Sequence, residues 1–451
     1  MRAPAVLLAL GAACGGGGGN PGATPDAGTG PDAGASDNAG PPNVLLVIAD
    51  DFGVDSSPCY DDGDQKPSMP TLEGLCAAGV VFEHAWAAPE CSPTRSSMIT
   101  GLPGFATGVG AAGDRLDPDV TSLMDVITDG SPYPYSSAVI GKWHLAGTGN
   151  TDYSHPAELG VEYYTGVFIG ALPDYYHWTK IEDGAPVAVD EYATTTFTDD
   201  AIAWIGDQDG PWFLWLAYTA PHEPLHLPPA ELIDRPDLTG TTADIAARPR
   251  DYYFAAAEAM DAELGRLLDQ MPDDVRANTV ILFLGDNGTP GRMAQPPYDA
   301  DRAKGSLYEG GIRVPLVIAG PPVRRPGARE SALVASTDLF ATIAELTGAA
   351  NPRGDTSVSL LQYLAEAAEP ARAVVYSEYF RGGTPQSTDD PAAFGWTVRD
   401  DHLQMIELDS GDRMLFDLDG DPGALDDLAS SPDHAGDLER LEAAGRSLRG
   451  E

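Results

Sequence analysis

A cysteine, a proline and an arginine in the run Cys91-Ser92-Pro93-Thr94-Arg95 are the first residues here whose types and spacing fit chemistry. Proline suits the first turn of a helix, where its missing N–H would go unpaired in any case. The free N–H groups of such a helix start favour an anion. Cys91 would then stand at the mouth of an anion site, with Arg95 one turn on. The same run also reads as an ordinary helix N-terminus carrying a buried thiol, and the rest of the chain has to decide between the two.

Two acidic pairs bear on that choice. Asp50-Asp51 and Asp286-Asn287 each follow an apolar run, far apart in sequence. Three carboxylates and an amide brought together repel one another unless a cation sits among them. An all-oxygen set suits a hard cation, calcium or magnesium; calcium tolerates irregular geometry, whereas magnesium demands an octahedron. Taken alone, Asp50-Asp51 is a polar strand exit or an Asx turn. Cations accompany the acids: Arg95, Lys142 and His144 after one apolar run, His222 after another, and Lys304 in Lys304-Gly305-Ser306-Leu307-Tyr308-Glu309-Gly310-Gly311. The chain has 26 Lys+Arg against 69 Asp+Glu, so cations placed at site-facing turns point to an anionic ligand.

The elements that must position these residues are legible as short, unalternating apolar runs. Val44 to Ala49 leads into Asp50, Ala138 to Ile140 into Lys142, Trp212 to Tyr218 into His222, and Thr279 to Leu284 into Asp286. Such runs predict strands buried on both faces, as in a parallel sheet covered by helices. Ligands bind outside the carboxyl ends of such strands, so four decorated ends predict one shared site. Tyr252 to Leu268 and Thr337 to Leu346 predict helices. The first has Phe254, Ala257, Leu264, Leu267 and Leu268 on one face, with Asp261, Glu263 and Arg266 off it. After about Asp355 the runs around Val374, Trp396, Met405 and Leu415 predict a small antiparallel sheet. A closing amphipathic helix through Leu438, Leu441 and Leu448 follows. The fold class is therefore α/β, a mainly parallel central sheet flanked by helices, with a smaller C-terminal antiparallel sheet plus helix.

The formal charge of −43 excludes nucleic acid as a partner and makes any anion site a local positive exception. Residues 1–14 read as an export signal ending at Cys14, a candidate lipid-anchor site. Residues 15–42 read as a Gly/Pro/Asp-rich tether with almost nothing to bury. These features predict an exported protein, periplasmic or anchored at the outer membrane through the lipid, or otherwise secreted. Residues 43–354 form the expected catalytic domain and 355–451 the antiparallel subdomain. Cys59 and Cys76 fit a disulfide or two buried thiols equally well. Tyr163, Tyr164, Tyr175, Tyr176, His177 and Trp178 form an aromatic-rich insertion that fits ring stacking on a substrate or plain packing.

The chain resembles the type I sulfatases of the alkaline phosphatase superfamily. The cysteine run and Ser136-Ser137-Ala138-Val139-Ile140-Gly141-Lys142-Trp143-His144 match the two family signatures. The Asp50-Asp51, Pro221-His222, Asp286-Asn287-Gly288, Lys304 to Gly311, Thr337-Asp338-Leu339 and Leu415 to Pro422 blocks follow in the family's order, so the match covers roughly Asn43 to Ser430. Glu90 and Pro134 depart from the usual residues, and Phe105 to Gly110 lacks a histidine often found there.

The resemblance implies that Cys91 is oxidised to formylglycine by a formylglycine-generating enzyme, with Pro93 and Arg95 in the recognised core. It implies that Asp50, Asp51, Asp286, Asn287 and the modified Cys91 hold Ca2+. It also implies that Arg95 steadies the hydrated aldehyde, Lys142 and Lys304 neutralise sulfate oxygens, His222, alone or with Lys304, protonates the leaving oxygen and His144 takes the proton that releases sulfate. The expected substrate is a small or glycan sulfate monoester, arylsulfatase-like or sugar-sulfate. The acidic surface disfavours polysulfated chains. The alternatives are a phosphonate monoester or phosphodiester hydrolase, and a non-catalytic binder of sulfated ligands if Cys91 stays a thiol.

Overall fold

The computed structural model describes residues 40–380 and 394–451. The export signal, Cys14 and nearly all of the tether lie outside the described residues. Gly40–Glu451 forms one unit.

Its main sheet has ten strands. In chain order they are β1 (Asn43–Ala49), β2 (Val80–Trp86), β3 (Ser136–Lys142), β4 (Tyr163–Val167), β5 (Trp178–Glu182), β6 (Ala185–Val189), β7 (Trp212–Ala217), β8 (Thr279–Gly285), β9 (Leu316–Ala319) and β10 (Ala328–Ala335). In space the order is β10-β2-β9-β8-β1-β7-β3-β4-β5-β6. The central strands β8, β1, β7 and β3 are neighbours and mutually parallel, so their carboxyl ends share one edge. Only β9, between β2 and β8, and the β5–β6 hairpin run antiparallel to their neighbours.

The unalternating runs have a simple cause. Val44, Leu46 and Ile48 of β1 enter one core, and Leu45, Val47 and Ala49 enter the core on the opposite face. The first core is closed by the helices Cys91–Thr100, Leu123–Gly130 and Asp338–Leu346. The second is closed by Pro70–Ala78, Ala193–Gly206 and Pro249–Gln270. Along Pro249–Gln270 the structure corrects the sequence, because Asp261 and Glu263 are buried with the apolar face. Asp261 accepts the N–H groups of Thr71 at 2.9 Å and Leu72 at 2.8 Å, at the start of the Pro70–Ala78 helix. Glu263 accepts the Thr195 hydroxyl at 2.7 Å. Burial of an acid is tolerated where it meets the free N–H groups of a helix start. Cys59 and Cys76 are joined as a disulfide, which sets aside the free-thiol alternative.

The second sheet is the antiparallel meander β11 (Val375–Tyr379), β12 (Gly395–Arg399), β13 (Leu403–Leu408) and β14 (Arg413–Asp417). The closing helix spans Ala435–Arg449 and buries Leu441, whereas Leu448 is 48 % exposed and falls outside the expected apolar stripe. Leu360, Tyr363 and Leu364 belong to the core of the large sheet, and the meander begins only at Val375.

Glu378 on β11 ties the second sheet to the short helix Gly104–Thr107. Its carboxyl accepts the Phe105 N–H at 2.7 Å and the Tyr376 hydroxyl at 3.0 Å. Burial pushes this acid from 4.5 up to about 7. The folded carboxyl thus holds its proton more tightly than the unfolded one. Its stability contribution is full below the ordinary value and is lost as pH rises to about 7. Urea unfolding should show stability falling by about 3 kcal/mol across that window, and Glu378→Gln should remove most of the fall.

Candidate active site

Each of the four central strands hands one piece of the site across the shared edge. β1 delivers Asp50 and Asp51, β8 delivers Asp286 and Asn287, β7 leads to His222, and β3 ends on Lys142 just before His144. Backbone bonds hold these exits together: Asp50 N–H donates to Ala220 O at 3.1 Å, and Asp286 N–H to Ala49 O at 3.1 Å. Within β3, Gly141 has φ +102° and lies so close to β7 that a Cβ there would sit 1.9 Å from Ala217 O. Only glycine fits that approach one residue before Lys142.

The carboxylates are buried among cations. Lys142 Nζ donates to Asp50 Oδ2 at 2.6 Å, and both side chains are fully buried. Asp51, held at φ +66°, donates its N–H to Asp286 Oδ1 at 2.9 Å. Its own Oδ1 accepts from Lys304 Nζ at 2.5 Å and Asn287 Nδ2 at 2.9 Å, and its Oδ2 lies 3.7 Å from His222 Nε2. Arg95 clasps Asp286 Oδ2 through Nε at 3.1 Å and Nη2 at 2.7 Å, while Nη1 donates to Lys142 O at 2.7 Å.

Burial and the Asp50 charge push Asp286 up to about 6, against Arg95 and Lys142. For Asp51 burial raises the pKa, but Lys304, His222 and Lys142 outweigh it and hold the carboxyl below its usual range.

Cys91 opens the helix Cys91–Thr100, so Pro93 is its third residue, still within the first turn. The thiol is 2 % exposed, and burial pushes it up to about 11. Its Sγ lies 3.1 Å from His144 Nδ1. Burial, followed by the charges of Lys142 and Arg95, holds His144 well below its usual value, which favours the uncharged ring beside the thiol. Glu90, the unusual acid before Cys91, turns away from the site. Its oxygens take the Ala112 N–H at 2.5 Å and the Tyr379 hydroxyl at 3.1 Å. On the other side, His222 Nδ1 lies 2.6 Å from Glu223 O. A carbonyl only accepts, so Nδ1 carries a proton and Nε2 is the edge turned to Asp51.

All ten residues singled out in the sequence therefore meet in one place. Sequence reasoning missed their supports. The Tyr253 hydroxyl donates to Asp51 O at 2.7 Å, and the Tyr175 hydroxyl reaches His222 O at 2.8 Å and Thr219 O at 2.7 Å. Asp55 accepts from the Thr289 hydroxyl at 2.5 Å and ties the loop after β1 to the loop after β8. Within the aromatic insertion, Tyr175 and Trp178 are packed inside, with Tyr175 stacked on His226 at 3.9 Å.

The donor set fits a hard cation. Asp50 Oδ1 and Asn287 Oδ1 are buried without a hydrogen-bond partner. Ligand atoms of Asp50, Cys91 and Asp286 all lie within 4.8 Å of one another. Asp50, Asp51 and Asp286 are balanced by Arg95, Lys142 and Lys304, so a divalent cation makes the pocket net positive, as an anionic ligand requires.

Comparison with known proteins bears directly on this arrangement. A family model described as Sulfatase matches residues 42–349. The chain belongs to the sulfatase family. A second model, described as N-sulphoglucosamine sulphohydrolase, C-terminal, matches residues 302–449. Among relatives, N-acetylgalactosamine-6-sulfatase of Sus scrofa is 27 % identical over 385 residues, covering 76 % of this chain and 69 % of that protein. An arylsulfatase of Klebsiella aerogenes is 26 % identical over 412 residues, covering 68 % and 87 %. The fold is shared with a protein solved with its substrate D-glucosamine-2-N,6-O-disulfate, with TM-score 0.71, 18 % identity and coverage of 91 % and 97 %. It is shared too with a phosphonate monoester hydrolase of Agrobacterium radiobacter, with TM-score 0.68, 21 % identity and coverage of 91 % and 95 %. By family and relatives this sulfatase is a sulfuric ester hydrolase.

Calcium should raise the melting temperature, because a ligand bound only by the folded state adds about 2.7 kcal/mol at a hundredfold excess over its Kd. Calorimetry with and without chelator checks this, and Asn287→Leu should lose most of the shift.

Proposed function

We propose that the protein hydrolyses a sulfate monoester at residue 91 after Cys91 has been converted to formylglycine. Asp50, Asp51, Asp286, Asn287 and residue 91 would hold Ca2+, or Mg2+ less readily. The observation that carries this is the meeting, at one sheet edge, of two unpaired buried oxygens, three carboxylates and Cys91 Sγ. Formylglycine supplies, as its hydrate, two hydroxyls on one carbon, one to attack sulfur and one through which sulfate is released, and the cation lowers the cost of ionising the attacking group.

The chain's own residues do the rest. Lys142 and Lys304 neutralise sulfate oxygens as charge shifts onto them. Arg95, anchored on Asp286, fixes the helix that carries residue 91. As the bond from sulfur to the ester oxygen breaks, His222 delivers a proton from Nε2 to that oxygen, Nδ1 staying on Glu223 O. His144, whose Nδ1 already faces residue 91, takes the proton that lets sulfate leave. Phosphonate monoesters are the second reading, favoured by the likeness to the Agrobacterium radiobacter enzyme.

Mass spectrometry of the peptide containing residue 91, from protein made in its own host, should show the aldehyde. The same preparation should prefer 4-nitrophenyl sulfate to phenylphosphonate esters. His222→Ala should lower kcat by about 10²–10⁴-fold. An intact thiol throughout favours a binder of sulfated ligands, and a preference for phosphonate favours the second reading.

We propose also that the protein works outside the cytoplasm, tethered through residues 15–42 to a lipid on Cys14. The Cys59–Cys76 disulfide supports an oxidising compartment. Labelled palmitate should enter the protein, and Cys14→Ala should abolish the label.

A further inference from the structure

A groove of about 450 Å³ opens beside His222, between the loop before β5, the residues after His222 and the helix Thr242–Ala247. Its walls are apolar, with Leu172, Pro173, Leu225 and Ile245 among them. Its acid and its arginine, Glu223 and Arg292, pair at 3.4 Å and so present no net charge. His222 belongs to the groove and to the carboxylate site, with Nε2 3.7 Å from Asp51 Oδ2.

We infer that this groove is the leaving-group subsite and that it takes an apolar phenol or alcohol in preference to a sugar or a polyanion. The inference rests on the sulfate-ester reading above. The Nε2 edge of His222 has to meet the departing oxygen, so the carbon skeleton bonded to that oxygen extends from His222 along the groove. A sugar ring there lays its hydroxyls along leucine, proline and isoleucine, which offer them no hydrogen bond in place of the water they displace. A second sulfate meets a charge pair already closed on itself, within a protein of charge −43. A flat aryl ring loses no hydrogen bonds and gains the contact of the walls.

The test uses Cys91→Ser protein with added calcium, so that binding is read without turnover. It is titrated calorimetrically with 4-nitrophenyl sulfate, galactose 6-sulfate and inorganic sulfate. The aryl ester should bind about tenfold tighter than the sugar ester. Leu225→Gln and Ile245→Gln, on different elements so that a folding defect in one leaves the other to be read, should each weaken the aryl ester about tenfold and leave inorganic sulfate unchanged. Equal or tighter binding of the sugar ester, or parallel losses for inorganic sulfate, overturns the inference and leaves the sulfate-ester reading standing. Failure of inorganic sulfate and of both esters to bind overturns the two together.

Discussion

Three carboxylates held out of water beside three cations are the constraint on which the rest of this structure depends. An isolated buried charge costs several kcal/mol, and removing one partner of a buried pair leaves the other uncompensated. Arg95, Lys142 and Lys304 come from a helix, a strand end and a loop, and each is tied to an acid from a different element. The pairs therefore work as cross-links. Arg95 joins the cysteine helix to β8 through Asp286 and to β3 through Lys142 O. Residue 91 is placed by that clasp as much as by packing. The same balance leaves the pocket near neutral, so the sign of the site is set by whatever cation the unpaired oxygens hold.

Placement of the exits needs close backbone approach as well as charge. Gly141 lets β3 approach β7 just before Lys142, and Asp51 turns through a left-handed conformation that aims its N–H at Asp286. Hydroxyls from well outside the motifs lock these turns, Tyr253 on Asp51 O and Tyr175 on His222 O. A residue that strains its backbone persists only where surrounding bonds over-determine it. Asp51 is such a case.

The strand ends were readable because a strand covered on both faces must be apolar throughout, and the first polar residue after it marks the exit. The acids and cations stood out because the chain has few cations and places them at those exits. Tyr253 and Tyr175 were not readable, since their partners lie 202 and 47 residues away and a buried tyrosine has no local pattern of its own. Asp261 and Glu263 misled for a related reason. A charged residue on a helix is taken as solvated until its partners are known, helix-start N–H groups for Asp261 and the Thr195 hydroxyl with Arg266 for Glu263. The pairing of Cys59 with Cys76 was open in the sequence because spacing alone does not bring two thiols together; the Pro70–Ala78 helix does.

Burial at the cysteine helix limits access to Cys91. Every residue from Cys91 to Thr100 is buried, Arg95 is fully enclosed, and the thiol faces His144. For the conversion proposed above, an enzyme reaching this thiol would have to open the helix. Freeing that peptide would break the Arg95–Asp286 clasp and leave Asp286 buried beside Asp50 with one cation fewer. The conversion proposed for Cys91 would therefore come before the helix closes. The interaction that holds the site together then also prevents the residue from being reached again once folding is complete.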